Sequence, residues 1–145
     1  MDKLSPHAAM RILITGSNGF LGQKLVDKLT SEGSAVIIAT SKSPNRNPNT
    51  IGYTFVQSDL TDAQSLEKLL VEQQPTHIIH TAAMTSVEAC ENNPEECEAM
   101  NVTLVAHIAA CCREQDIHLT FLSTDFVFDG TAGPYLETDT PKPCN

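Results

Sequence analysis

The sequence predicts an α/β fold: an open, doubly wound sheet of parallel strands with helices on both faces. Three observations carry that prediction. Short β-rich apolar runs alternate with helical patterns along the chain. Most of those runs are continuously apolar rather than alternating, as in strands covered on both faces. A glycine-rich turn joins the first strand directly to the first helix.

The strands are expected at 11–15, 35–40, 53–56, 77–81 and 117–123, and the helices at 19–31, 62–74 and 94–115. Gly33 suits a left-handed cap after the first helix. Thr61-Asp62-Ala63-Gln64 has the form of a capping box, and Pro75 ends the helix after it. Asn93 then Pro94 reads as an N-cap and a first-turn proline. Right-handed crossovers then assemble these units into one parallel sheet. Residues 1–10 are expected to form a disordered lead-in, with Met10 as an alternative start. Residues 11–145 form one domain, without internal repeat or linker. Beyond Ser123 the chain has turn chemistry (Asp129-Gly130, Gly133-Pro134) and no periodicity. A parallel sheet usually needs a further helix over its last strand, so the domain is expected to be incomplete at its C-terminal side.

Composition narrows the function classes. The chain of 145 residues has 41% hydrophobic and 19% charged residues and a formal net charge of −9. That balance disfavours nucleic-acid binding, which needs cations against phosphates. No apolar run approaches the ~20 residues of a membrane span, and the N-terminus has no secretory signal. The five cysteines, Cys90, Cys97, Cys111, Cys112 and Cys144, lack a C-x-x-C pair. They read as buried reduced thiols, and a cytoplasmic location is inferred from that.

The turn Gly16-Ser17-Asn18-Gly19-Phe20-Leu21-Gly22 lies where a dinucleotide site would be. Gly16 permits the tight turn, Gly19 a close approach of pyrophosphate, and Gly22 close packing of helix on sheet. The helix N-terminus offers N–H groups to the phosphates. The competing reading is a strand-to-helix turn with no ligand. Its G-x-x-G-x-x-G spacing resembles the extended short-chain dehydrogenases/reductases, a Rossmann-fold family. NAD-preferring sites place an acid after the second strand, but none occurs here between Glu32 and Asp59. Thr40, Ser41, Lys42 and Arg46 stand there instead. Hydroxyls and cations suit a 2′-phosphate, so NADP(H) is favoured and NAD(H) stays open; a solvated basic loop is the bland alternative.

The resemblance implies further roles. Asp59-Leu60 is similar to the family pair whose aspartate binds the adenine amine, although Asp59 could also cap the next helix. Thr81-Ala82-Ala83 would let the cofactor lie against backbone. Asn101 shares a helix face with Cys97, Leu104, Val105, Ile108 and Cys112. It is either bonded to neighbouring backbone or, as the resemblance implies, an active-site asparagine. The run Leu122-Ser123-Thr124-Asp125-Phe126-Val127-Phe128-Asp129-Gly130 resembles the dTDP-4-dehydrorhamnose reductase family, as do 80–85 with Val87-Glu88. The resemblance covers about residues 10–145. It implies that Ser123 contacts cofactor and that Thr124 hydrogen-bonds a sugar keto oxygen. Thr85, Glu88, Asp125 and Phe126 would contact substrate, although Phe126 replaces the family's usual tyrosine.

The family's Tyr-x-x-x-Lys acid/base motif should come after the lead-in Pro141-Lys142-Pro143-Cys144-Asn145. Neither Tyr53 nor Tyr135 has a lysine four residues on, so these residues alone are expected to be inactive. His77 and His80 read as strand residues, and Asp129 as a turn former rather than, with Asp125, a metal ligand; no metal site is expected. The resemblance thus implies an NADPH-dependent reductase of a nucleotide-linked 4-keto sugar, in rhamnose and cell-envelope polysaccharide synthesis. The alternatives are a non-catalytic NADP-binding subunit like the methionine adenosyltransferase β subunit, or a sugar-nucleotide epimerase or dehydratase. A nucleotide sugar is the expected partner, and a homodimer stays open for the full-length protein.

Overall fold

The computed structural model describes residues 9–124 and 126–143. Residues 1–8 of the expected lead-in lie outside the described residues, while Met10 already accepts a hydrogen bond from Val36 N at 2.8 Å. The elements are β1 (Arg11–Thr15), α1 (Phe20–Glu32), β2 (Val36–Ser41), β3 (Thr54–Gln57), α2 (Ala63–Gln73), β4 (His77–His80), α3 (Val87–Asn92), α4 (Pro94–Glu98), a π-helical turn (Ala99–Thr103), α5 (Leu104–Gln115) and β5 (His118–Phe121). The strands form one sheet in the order β3-β2-β1-β4-β5, and every pairing is parallel. The order reverses between β1 and β4, so the sheet has its switch point at the C-terminal ends of those strands.

The apolar strands divide their side chains between two cores because successive residues point to opposite faces. Leu13, Ile38 and Ile78 pack with Leu66, Leu69 and Leu70 of α2 and with Leu104 and Ile108 of α5. On the other face Ile12, Ile14, Ile37 and Ala39 pack with Val26 of α1. Each fully buried aliphatic chain contributes roughly 1.5–3 kcal/mol of transfer free energy. Helices on both faces make the sheet doubly wound, as expected.

Several boundaries differ from the sequence reading. β5 is shorter than 117–123 because its partner among the described residues, β4, offers a four-residue register. The cap of α2 is Asp62, whose carboxylate accepts from Ser65 N at 3.0 Å, so Thr61 is not the cap. The helix α3 was not anticipated: it has no buried residue, hence no apolar periodicity, and is started by Ser86 accepting from Ala89 N. The expected helix 94–115 is interrupted at 99–103, where one π-helical turn inserts an extra residue. Such an insertion rotates the rest of the helix by about 100°. The buried stripe is accordingly Leu104, Ile108, Cys111 and Cys112, while Cys90 and Cys97 are only half-buried. Cys144 lies outside the described residues.

The parallel connection from β2 to β3 contains no helix. Asn45, Asn47 and Asn49 instead form a chain of turns, each side-chain oxygen accepting the N–H two residues on, at 3.0–3.2 Å. Asn18, in the glycine-rich turn, fastens this loop. Its Nδ2 donates to Ser43 Oγ at 3.0 Å and Pro44 O at 2.9 Å, and its Oδ1 accepts from Arg46 N at 2.8 Å.

Candidate dinucleotide site

The turn after β1 is built by contacts that exclude side chains. Gly16 has φ +66°, and a Cβ there would stand 2.6 Å from Ala82 N and 2.9 Å from Thr81 C. Gly16 therefore lets the turn press on the end of β4. A Cβ on Gly22 would run into Gly16 O and lie 2.8 Å from Ser17 Cα, so Gly22 seats α1 on the turn. Gly19 differs: a Cβ there meets only Gly16 O at 3.2 Å. Gly19 is the N-cap of α1, no side chain caps it, and the first turn holds no acid. The opening N–H groups, from Phe20 to Gly22, have no intrahelical acceptors and carry the positive end of the helix dipole.

A cleft of about 220 Å³ lies over this turn at the C-terminal edge of the sheet. It gathers Gly16 and Gly19 after β1, Ser41 and Lys42 at β2, Asp59 and Leu60 after β3, and Thr81, Ala82 and Ala83 after β4. Thr40, which the sequence offered beside Ser41 and Lys42, also lines it, as do Ser58, Thr61, Met100 and Leu104, which were not expected there. Met100 lies in the π-helical segment, and no local sequence pattern marks such a turn. A larger cavity of about 320 Å³, lined by Leu70, Gln74 and Ile117, lies elsewhere and contains none of the expected residues.

Other expected residues are not in the cleft wall. Ser17 is buried, and its N–H and hydroxyl both donate to Thr40 O at 3.1 Å. Asn18 holds the β2–β3 loop, and Arg46 is exposed on that loop. Phe20 and Leu21 are exposed beside the N-terminus of α1. Ser123, Thr85 and Glu88 are exposed on loops or, for Glu88, on the first turn of α3. Phe126 is exposed and its N–H donates to Thr124 Oγ1 at 3.2 Å; Asp125 lies outside the described residues.

Lys42 and Asp59 are joined across the strand ends, Nζ to Oδ2 at 2.9 Å. Asp59 Oδ1 accepts from Thr61 Oγ1 at 2.6 Å and Thr61 N at 3.1 Å. The Thr61 hydroxyl, then Lys42, hold the Asp59 carboxyl below its usual range, and Asp59 raises the Lys42 ammonium. The helix-capping alternative for Asp59 is corrected: α2 is capped by Asp62, leaving Asp59 to face Lys42 and the cleft.

Asn101 sits in the π-helical turn and reaches a distant strand end, not its local backbone. Its Oδ1 accepts from Met84 N at 2.8 Å and its Nδ2 donates to Met84 O at 2.9 Å. The amide thus satisfies both backbone polar groups of one residue and clamps the loop after β4. Asn101→Ala is expected to destabilise the protein by about 1–3 kcal/mol, because it strands Met84 N and leaves Met84 O only the long bond from Cys90 Sγ at 3.5 Å. An unchanged denaturation midpoint would remove the clamp.

Buried His80 pairs Nδ1 with Thr15 Oγ1 at 2.7 Å and stacks on Phe121 at 6.0 Å. Burial lowers its pKa. His77 bonds Thr76 Oγ1 through Nδ1 at 2.9 Å.

The segment after Thr124 is tied at Asp129. Its Oδ1 accepts from Thr131 N, Thr131 Oγ1 and Tyr135 OH at 2.8–3.0 Å, and Lys142 Nζ lies 3.2 Å from Oδ2. Phe128 stacks on Tyr135 at 4.3 Å. The Thr131 N–H, then the two hydroxyls and Lys142, hold the Asp129 carboxyl far below its usual value. Ionised Asp129 therefore favours the ordered loop above about pH 4. That contribution is lost as pH falls through the lowered value. Tyr135 fluorescence is expected to report loosening of the loop in acid, and Asp129→Asn to flatten that dependence.

Known proteins resemble this chain in sequence and fold. The RmlD substrate binding domain family matches residues 10–145. A probable low-salt glycan biosynthesis reductase of Haloferax volcanii is 38% identical over 92% of this chain and 44% of its own length. The dTDP-4-dehydrorhamnose reductase of Streptomyces griseus is 33% identical over 92% of this chain and 40% of its own. Methionine adenosyltransferase 2 subunit beta of Bos taurus is 29% identical over 93% and 38%. The chain thus spans about two fifths of the length of these relatives. A crystal structure of a hypothetical dTDP-4-dehydrorhamnose reductase from Sulfolobus tokodaii superposes with TM-score 0.79 at 37% identity, over 94% of this chain and 47% of that one. That of dTDP-4-dehydrorhamnose reductase from Bacillus anthracis, in complex with NADP, superposes with TM-score 0.78 at 29% identity, over 97% and 46%.

Proposed function

Since the chain belongs to the RmlD substrate binding domain family, we propose that it forms the NADPH-binding part of a reductase of a nucleotide-linked 4-keto sugar. dTDP-4-dehydrorhamnose is the substrate we assign, which places the protein in rhamnose and cell-envelope polysaccharide synthesis. The observation that carries this reading is the convergence of the glycine turn, Lys42, Asp59 and Thr81–Ala83 on one cleft at the switch point. The Bacillus anthracis relative, a reductase in complex with NADP, supports the cofactor choice.

The residues present fit a dinucleotide. Gly16 and Gly19 leave bare backbone where a pyrophosphate would rest, and the opening N–H groups of α1 would hold it. Lys42 would bind the 2′-phosphate. Asp59 would accept from the adenine amine, while Ala82 and Ala83 keep the wall beyond β4 low. When bound, the nicotinamide supplies a hydride for the keto carbon. Thr124 would hydrogen-bond the keto oxygen and stabilise the charge that gathers there. Asn101 acts as a positioning residue through Met84. Proton donation is assigned to a tyrosine of the Tyr-x-x-x-Lys motif, which residues 1–145 do not contain. We accordingly expect no turnover from these residues alone.

The likeness to methionine adenosyltransferase 2 subunit beta supports a second reading, an NADP-binding regulatory subunit without turnover. One experiment separates the two. The polypeptide of the complete open reading frame is assayed with NADPH and dTDP-4-dehydrorhamnose. Reduction establishes the first reading. NADPH binding without turnover, together with co-purification of a methionine adenosyltransferase, establishes the second. Absence of any NADPH binding overturns both. No helix among the described residues is long and apolar enough to cross a membrane; we place the protein in the cytoplasm, where its thiols would stay reduced.

A further inference from the structure

Two half-buried cysteines lie beside the Asn101 clamp. Cys90 is in α3 and Cys97 in α4. The two helices meet at Asn93, whose φ of −136° and ψ of 64° break the rod between them. The Cys90 and Cys97 thiols lie near enough to perturb each other, and both touch the Met84–Asn101 pair. Cys90 Sγ also donates to Met84 O at 3.5 Å. Cys97 Sγ accepts from Asn101 Nδ2 at 3.4 Å, and the same Nδ2 donates to Met84 O at 2.9 Å. Cys90, Met84, Asn101 and Cys97 thus form one run of polar contacts with a thiol at each end. Its middle is the clamp on the loop whose first residues, Thr81, Ala82 and Ala83, line the cleft.

We propose that Cys90 and Cys97 form a dithiol modification site, closed reversibly to a disulfide by exchange with a small-molecule disulfide, and that closure loosens the Asn101 clamp and weakens the cleft. The link to cofactor rests on the proposed role of the cleft in binding NADPH; the disulfide itself does not.

The exchange is balanced without another reactant. The Cys97 thiolate attacks one sulfur of the small disulfide, and its partner sulfur leaves as a thiolate. Cys90 then loses its proton and attacks the Cys97 sulfur of the mixed disulfide, expelling the second small thiol. The protein loses two hydrogens, and the small disulfide is reduced to two thiols. The neighbouring Cys97 thiol, with some burial, pushes the Cys90 thiol up to about 11. Cys90 therefore gives up its proton only as it attacks the mixed disulfide. Seven residues of separation keep the second thiol at a high effective concentration.

Closure should reach the clamp for a geometric reason. An S–S bond of about 2.05 Å is much shorter than any non-bonded approach of two sulfurs, so both sulfurs must shift. Cys90 loses the proton it donates to Met84 O, and the Cys97 sulfur is drawn from Asn101. The two buried cysteines of α5 have no such outlet. Burial raises Cys111 and pushes Cys112 up to about 11, and both sit inside the core.

The test uses the full chain with oxidised glutathione, read by peptide mass, amide hydrogen exchange and NADPH titration. The expected product is a peptide pair joined through Cys90 and Cys97 and lighter by two hydrogens. Phenylarsine oxide, which bridges neighbouring thiols, should block it. Cys90→Ser should stop at a glutathione adduct on Cys97. In the bridged protein, amides 82–86 should exchange faster and NADPH affinity should fall by about fivefold to tenfold, as for one or two lost hydrogen bonds. Dithiothreitol should restore both, and the double variant Cys90→Ser/Cys97→Ser should not respond to oxidant. Failure of the bridged species to form in the wild-type chain overturns the proposal. So does a bridge that leaves exchange at 82–86 unchanged. Faster exchange in a chain that binds no NADPH even when reduced would uphold the switch and sink the cofactor reading instead.

Discussion

Replacing Gly22 with alanine is expected to cost both fold stability and cofactor binding. The added Cβ would strike Gly16 O and stand 2.8 Å from Ser17 Cα. Both obstacles are backbone, held by the Ser17 N–H to Thr40 O and Gly19 N–H to Gly16 O hydrogen bonds, so no side chain can swing aside. Overpacking of this kind costs about 1–3 kcal/mol. If α1 retreats from the turn to relieve it, the N–H groups at its start leave the cleft. NADPH affinity should then drop on the order of a hundredfold, roughly 3 kcal/mol. Gly19→Ala separates the two effects. Its Cβ would have only one contact, at 3.2 Å, so the thermal midpoint should barely move while affinity still falls, because the methyl would occupy the phosphate's place. Gly33→Ala is the opposite control. Nothing lies near its Cβ, but φ is +66°, so it should lose about 1–2 kcal/mol of stability and no affinity. Equal affinity for Gly19→Ala and wild type would refute the backbone cradle.

Lys42→Ala is expected to weaken NADPH about tenfold to a hundredfold and leave NADH within about threefold, since a hydrogen bond to a charged group is worth about 1.5–3 kcal/mol. The competing force is Asp59, 2.9 Å away. In the free protein it neutralises Lys42, so a 2′-phosphate must outbid a carboxylate for the same ammonium. Lys42 is largely solvated and Asp59 partly so, and the pair is weak by itself; a doubly charged phosphate should prevail. High salt should then narrow the NADPH advantage. Parallel fluorescence titrations of the two cofactors decide it. Equal weakening of NADPH and NADH would mean that Lys42 shapes the cleft without reading the 2′ position.

Much of the fold was legible because its causes are local. The apolar runs that became β1 and β2, the left-handed Gly33 and the Asn93-Pro94 start all come from periodicity and backbone stereochemistry over a few residues. Legibility failed where local signals were absent or equivocal. The helix α3 buries nothing, and Thr61 and Asp62 are both good caps, one residue apart. The π-helical turn at 99–103 leaves no mark on composition, yet it moves the buried stripe onto Cys111.

The sequence by itself determined a parallel α/β sheet opened by a glycine turn suited to phosphate, and the residue types available at the strand ends. Only the tertiary structure decided who meets whom. Lys42 faces Asp59 because β2 and β3 are neighbours. Asn101 grips Met84 because an extra residue turns it toward β4. Cys90 finds Cys97 because the rod breaks at Asn93. These partners lie seven to seventeen residues apart. Their meeting depends on how whole elements pack, which no short stretch of chain specifies.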